Sequence, residues 1–109
     1  MKVFKFGGAS VKDAESVKNV SEILSMYRKE QLVVVISAMG KMTNALEKVV
    51  HAYHNQDPQL QDYIQEIRNF HFSIVDHLGF AADHPLRNDL ENCFVEIEWV
   101  IETPPSRGY

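Results

Sequence analysis

Two short stretches of the chain hold residues that could do chemistry. The first is "KFGGAS", where Lys5 stands just ahead of Gly7 and Gly8. A glycine pair at the end of a strand lets backbone N–H groups come close to an anion, and a helix start beyond it adds a favourable dipole. Lys5 would add a full positive charge at the same place, so the combination suits a phosphate. The same glycines also serve as a plain tight turn between a strand and a helix, and that reading stays open. The glycines are too few and too differently spaced for a Walker A loop or a GxGxxG fingerprint. The second stretch is "SAMGKMTN". Ser37, Ala38, Gly40 and Thr43 supply small residues and hydroxyls there, suited to holding a small polar ligand; Ser37 and Thr43 could equally cap the next helix.

The elements that must position these residues are legible around them. Lys2 to Phe6 reads as a short strand ended by Gly7-Gly8. Ser10 with Asp13 three residues on forms a capping-box pattern, and Ala14, Val17, Val20, Leu24 and Tyr27 recur at helical spacing, which predicts a helix over 11–29. "QLVVVIS" is a continuous β-branched run without polar alternation, the pattern of a parallel strand buried on both faces, and it predicts a strand over 32–37. Strand, glycine loop, helix and strand make one βαβ unit with parallel strands. Ligands bind outside the carboxyl ends of such strands, so both loops should flank one crevice with Lys5 pointing into it.

Three further helices are expected. Leu46, Val49, Val50 and Tyr53 mark the first. Asp57-Pro58 reads as a cap with proline at the first helical position, ahead of a stripe through Leu60, Tyr63, Ile64, Ile67, Phe70, Ile74 and Leu78 that Gly79 stops. Asp83 and Pro85 open the last, with the stripe Leu86, Leu90, Phe94, Ile97 and Ile101, before Thr103-Pro104-Pro105. These helices should form a layer around the strands.

Composition narrows the function. With 109 residues the chain fits one compact domain, and its 45% hydrophobic and 24% charged content is that of a globular protein. A net charge of −4 without a Lys/Arg cluster argues against nucleic acid as partner. The apolar run Leu32 to Ile36 is far too short to span a bilayer, and no secretory signal opens the chain. Cys93 is the single cysteine, so no disulfide can form within one chain. A cytoplasmic protein is expected.

The two loops also carry a family resemblance. "KFGGASV" resembles the KFGGTSV signature that opens aspartate kinases, and "VVVISAMGKMTNAL" is similar to their second signature, a hydrophobic strand followed by SAMG-x-x-TN. The lysine-glycine opening is shared with the wider amino-acid-kinase family, while SAMG-x-x-TN points to aspartate. The resemblance implies an α/β amino-acid-kinase (carbamate-kinase-like) fold, of which residues 1–109 would be the N-terminal part of the catalytic domain, without regulatory ACT domains. It implies transfer of the γ-phosphoryl group of ATP, with Mg2+ held via the nucleotide, to the side-chain carboxylate of L-aspartate. This is the first step toward lysine, threonine and methionine. Lys5 would be catalytic, Lys5, Gly7, Gly8 and Ser10 would hold the phosphates, and Ser37, Ala38 and Thr43 would hold aspartate. No metal ligand is implied in this chain, and a homo-oligomer is. Ala9 departs from the signature's threonine, so a hydroxyl is lost there while that of Ser10 remains.

Aspartate kinases are several times longer, so the resemblance implies a piece that is inactive alone. A non-catalytic α/β module that binds an anion or partner, or the start of another amino-acid kinase, is the alternative. With only two strands legible, the chain is also expected to self-associate. Elsewhere, His51 and His54 lie three apart on a helix without a third ligand in sequence, so a polar face is the simpler reading. Cys93 reads as a half-buried helix cysteine, Glu91, Glu96, Glu98 and Glu102 as a solvated face, and Trp99 as either covering the helical core or exposed.

Overall fold

A computed structural model describes residues 1–105. The end of the expected terminal loop, residues 106–109, lies outside the described residues. The order is β1 (Lys2–Phe6), a 3-10 turn (Gly8–Val11), α1 (Ala14–Ser25), β2 (Leu32–Ile36), α2 (Met42–His54), α3 (Leu60–His77) and α4 (Pro85–Ile101). This is the expected α/β arrangement of one βαβ unit followed by three helices. The chain divides into two compact units, Met1–Ala45 and Leu46–Tyr109, with the boundary inside α2.

In the first unit β1 and β2 are adjacent and parallel, with Lys2 opposite Leu32 and Phe6 opposite Ile36. Side chains alternate across a strand, so Phe4 and Phe6 share one face while Val3 and Lys5 share the other. Phe6, Val11 and Val20 are buried, with Phe4, Val17, Ile23, Leu24 and Met39 packed against them. That cluster seats α1 on the Phe4–Phe6 face. Burying each such side chain is worth about 1.5–3 kcal/mol. Tyr27 completes the far end, its ring 5.0 Å from that of Phe4 and under the Lys2 ammonium at 4.6 Å.

Three expectations about the bounds and covering of the elements are corrected here. The helix is shorter than 11–29, because Ser10 belongs to the 3-10 turn and its N–H donates to Gly7 O. Asp13 is itself the cap, its carboxylate accepting from the Ser16 N–H at 2.8 Å. This bond holds Asp13 below the ordinary carboxylate range; the Ser16 backbone N–H is the largest cause. Second, β2 is not buried on both faces. Val33, Val34, Val35 and Ile36 are 36–55% exposed, since within this unit α1 packs on Phe4 and Phe6 of β1 and leaves both faces of β2 open.

Third, in the second unit α3 starts later than Asp57-Pro58 suggests. Asp57 instead closes a local turn, its carboxylate accepting from the Gln59 N–H at 2.8 Å. The stripe itself is as expected, with Ile64, Ile67 and Ile74 buried together with Val75. Gly79, at φ +83°, ends the helix in the left-handed region that favours glycine. α4 opens with Pro85 in its first turn and His84 as cap, the His84 Nδ1 accepting from the Leu86 N–H.

α3 and α4 run antiparallel. Gln61 donates to Glu98, Arg68 pairs with Glu91 at 2.7 Å and Asp76 with Arg87 at 2.7 Å, and the ring of His71 meets Phe94 edge-on. Two residues read as a solvated acidic face, Glu91 and Glu98, therefore spend their charge on the neighbouring helix. Arg87 also donates to Phe80 O at 2.7 Å and Ala81 O at 2.8 Å, which fastens the turn between the helices. Trp99 is exposed, and so is Cys93, which corrects the half-buried reading.

Candidate functional site

The candidate site lies where β1 and β2 end side by side. Beyond the last paired rung the two chains stay bonded: Ser37 N–H donates to Phe6 O at 2.9 Å, and Gly40 N–H donates to Gly8 O at 3.0 Å. "GGAS" and "SAMG" are thus brought together, as expected for neighbouring strands of one parallel pair. Continuous small residues make this possible, because side chains between the two loops would hold them apart.

The glycines divide the work. A Cβ added at Gly8 would lie 2.7 Å from Gly40 O and 3.1 Å from Ala38 O, both backbone atoms that cannot step aside cheaply. Gly8 is therefore required by the protein's own packing. A Cβ added at Gly7 would meet nothing within 4 Å. Gly7 has extended backbone at φ −77°, which any residue adopts. Among the described residues, nothing packs where a side chain at residue 7 would stand. Gly40, at φ +53°, is in the left-handed region. Sequence reasoning gave it no role of its own; its signal was its place in SAMG just past a strand end.

Lys5 is exposed, in register with Val35, on the face of β1 that α1 does not cover. Ser37 and Ala38 are exposed in the loop after β2, and Thr43 is exposed in the first turn of α2, past the cap position. Ser10 is exposed in the 3-10 turn, where it lines a hollow of about 450 Å³ with Lys12, Asp13, Ser16 and Asn19. That hollow gathers Ser10 and Ala9 but not Lys5, Gly7 or the SAMG loop. A second hollow of about 500 Å³, between α2 and α4 in the second unit, is lined mostly by apolar side chains and holds none of the expected site residues. Among the described residues no three His, Cys, Asp or Glu side chains converge in a way that could hold a metal ion, and no helix is long and apolar enough to cross a membrane.

Comparison with known proteins identifies the family and the fold. The sequence profile of the Amino acid kinase family matches residues 1–85. Aspartokinase 1, chloroplastic, of Arabidopsis thaliana is 36% identical over 81 residues, which is 71% of this chain and 14% of that protein. Among solved structures, E. coli aspartokinase III in complex with aspartate and ADP superimposes with a TM-score of 0.73 at 27% identity, over 94% of this chain and 22% of that one. Clostridium acetobutylicum aspartate kinase gives 0.72 at 27% identity, over 90% of this chain and 24% of that one. The chain thus spans less than a quarter of each protein that it matches here. With its lysine-glycine opening, its parallel strand pair and its SAMG loop, the chain belongs to the amino acid kinase family and, within it, resembles the aspartokinases.

Proposed function

We propose that this chain is the phosphate- and substrate-holding segment of a kinase that phosphorylates the side-chain carboxylate of L-aspartate, in the biosynthesis of amino acids derived from it. The observation that carries the reading is the unfilled space at Gly7, beside a second loop locked to Gly8. ATP would supply the γ-phosphoryl group: a carboxylate oxygen of aspartate bonds to its phosphorus as the bond to the ADP oxygen breaks, with Mg2+ held through the nucleotide's phosphates. The residues present suit that group. Gly7 leaves room for phosphate oxygens to reach backbone N–H groups, with Gly8 fixing the turn and the Ser10 hydroxyl nearby. Lys5 holds a positive charge where negative charge accumulates during transfer, and such charge stabilisation is the chief requirement of phosphoryl transfer. Ser37 and Ala38 on the adjoining loop, with Thr43 in the first turn of α2, would hold aspartate.

The chain alone would be inactive, because it spans so small a part of its relatives. A homo-oligomer in the cytoplasm belongs to the same proposal, although plant relatives bear chloroplastic names. Self-association of the isolated chain is supported by its exposed Val3, Val33 and Val35 face. A monomer in sedimentation at high concentration would speak against it.

The test of function traps the acyl phosphate with hydroxylamine. A complete polypeptide carrying this chain should form aspartyl hydroxamate when given MgATP and aspartate, and the 109-residue chain should not. Failure of the first, or success of the second, overturns the reading.

A further inference from the structure

The two loops of the candidate site are hydrogen-bonded through backbone groups, and the joint has two halves. Gly40 donates its N–H to Gly8 O at 3.0 Å, and Gly40 O sits 2.7 Å from where a side chain at residue 8 would begin. Gly40 reaches this position only at φ +53°, a conformation that β-branched residues avoid. We propose that Gly40 is a positioning residue, one that touches no substrate but sets the spacing between the loop carrying Gly7 and Ser10 and the loop carrying Ser37 and Ala38. The inference rests on the reading of those loops as the phosphate- and aspartate-holding parts of one site.

The geometry explains why the joint is made this way. A side chain between the loops would fill the space where two ligands must meet, whereas a direct N–H to carbonyl bond holds the loops at the shortest separation that the backbone allows. Gly8 and Gly40 are then halves of one contact, and losing either half loses the whole. Gly7 stands outside the joint, since a Cβ there meets nothing within 4 Å.

Two measurements test this. The first uses the 109-residue chain and does not depend on function. Hydrogen exchange should show the Gly40 amide protected, and protection should drop by tenfold or more in Gly8→Ala while amides in β1 are unchanged. An unprotected Gly40 amide in the parent chain would refute the joint itself. The second uses a complete kinase carrying this segment, with melting temperature as a control for folding. Gly40→Val should lower kcat/KM for MgATP and for aspartate by a similar factor of ten or more, and Gly40→Asn, which tolerates a positive φ, should recover most of it. The Gly8→Ala, Gly40→Val double variant should be no worse than the poorer single. Multiplying single effects, or a loss for only one of the two substrates, would overturn the positioning role. Absence of kinase activity in the parent polypeptide together with a protected Gly40 amide would instead count against the proposed function while leaving the loop joint standing; without two substrate-holding loops to space, the positioning role falls with it.

Discussion

The two compact units hold themselves together by different means. In Met1–Ala45 the connection that matters is backbone: the strand ladder, its extension through Ser37, and the Gly8–Gly40 bond. The polar side chains around its strand ends are open to solvent: Lys5, Ser10, Ser37 and Thr43 are all exposed. In the second unit the helices are joined by side chains, with Arg68, Arg87, Gln61, Glu91 and Glu98 spent on one another or on nearby carbonyls. A unit fastened through its main chain can offer its polar side chains to a ligand. One fastened through its side chains cannot. On the proposed function, the chemistry falls to the first unit.

The sharpest way to break this contrast is at Lys5. In a complete kinase, Lys5→Ala should lower turnover about a hundredfold or more with the melting curve unchanged, as expected for a charge contact made chiefly in the transition state. Near-normal turnover would remove Lys5 from the site. Next is Gly8→Val, which forces bulk against Gly40 O. It should cost about 1–3 kcal/mol as overpacking and abolish ordered contact between the loops, read by denaturant melting and hydrogen exchange at 37–40. If Gly7→Ala proves as harmful to stability, the division of labour between the glycines is wrong. In the second unit, Ile67→Ala removes a buried side chain and should cost about 2–5 kcal/mol, with exchange protection lost in α3 and α4 and retained in β1 and β2. Equal loss in both would deny the two-unit division.

The smallest effect concerns acid. The folded carboxyl of Asp13 is held below its ordinary range by the Ser16 N–H, so its contribution is present above an unfolded pKa of about 4 and fades as the pH falls through the lower folded value. Asp13→Asn should keep a cap acceptor but lose that acid sensitivity, seen as a flatter melting temperature between about pH 5 and pH 2.

Much of this was legible because local patterns carry it. The glycine pair after β1, the β-branched run of β2, the isoleucine stripe of α3 and the stop at Gly79 each depend on neighbours in sequence. What was missed depends on neighbours in space. Nothing local says that Gly8 faces a carbonyl from residue 40, so the sequence left its role between a phosphate contact and a plain turn. Ser10 and Asp13 both fit a cap by type, and only the path of the 3-10 turn decides for Asp13. The "LVVVI" run announces burial, yet burial needs a covering layer, and within the first unit α1 packs on β1 and leaves both faces of β2 open. Glu91 and Glu98 looked like a solvated face because the arginine and glutamine that meet them sit some twenty to forty positions earlier.

The register of the strand pair has a consequence in time. Every rung joins residues thirty positions apart, as Lys2 to Leu32 and Phe6 to Ile36. Closing that distance costs chain entropy before any rung repays it, whereas the α3–α4 hairpin is closed by contacts as local as Arg87 to Phe80. On a ribosome β1 emerges about thirty residues ahead of β2 and must wait that long for its partner. The glycine loop can take shape only after its distant counterpart has arrived, so the loop that the proposed function relies on is synthesised well before it can be structured.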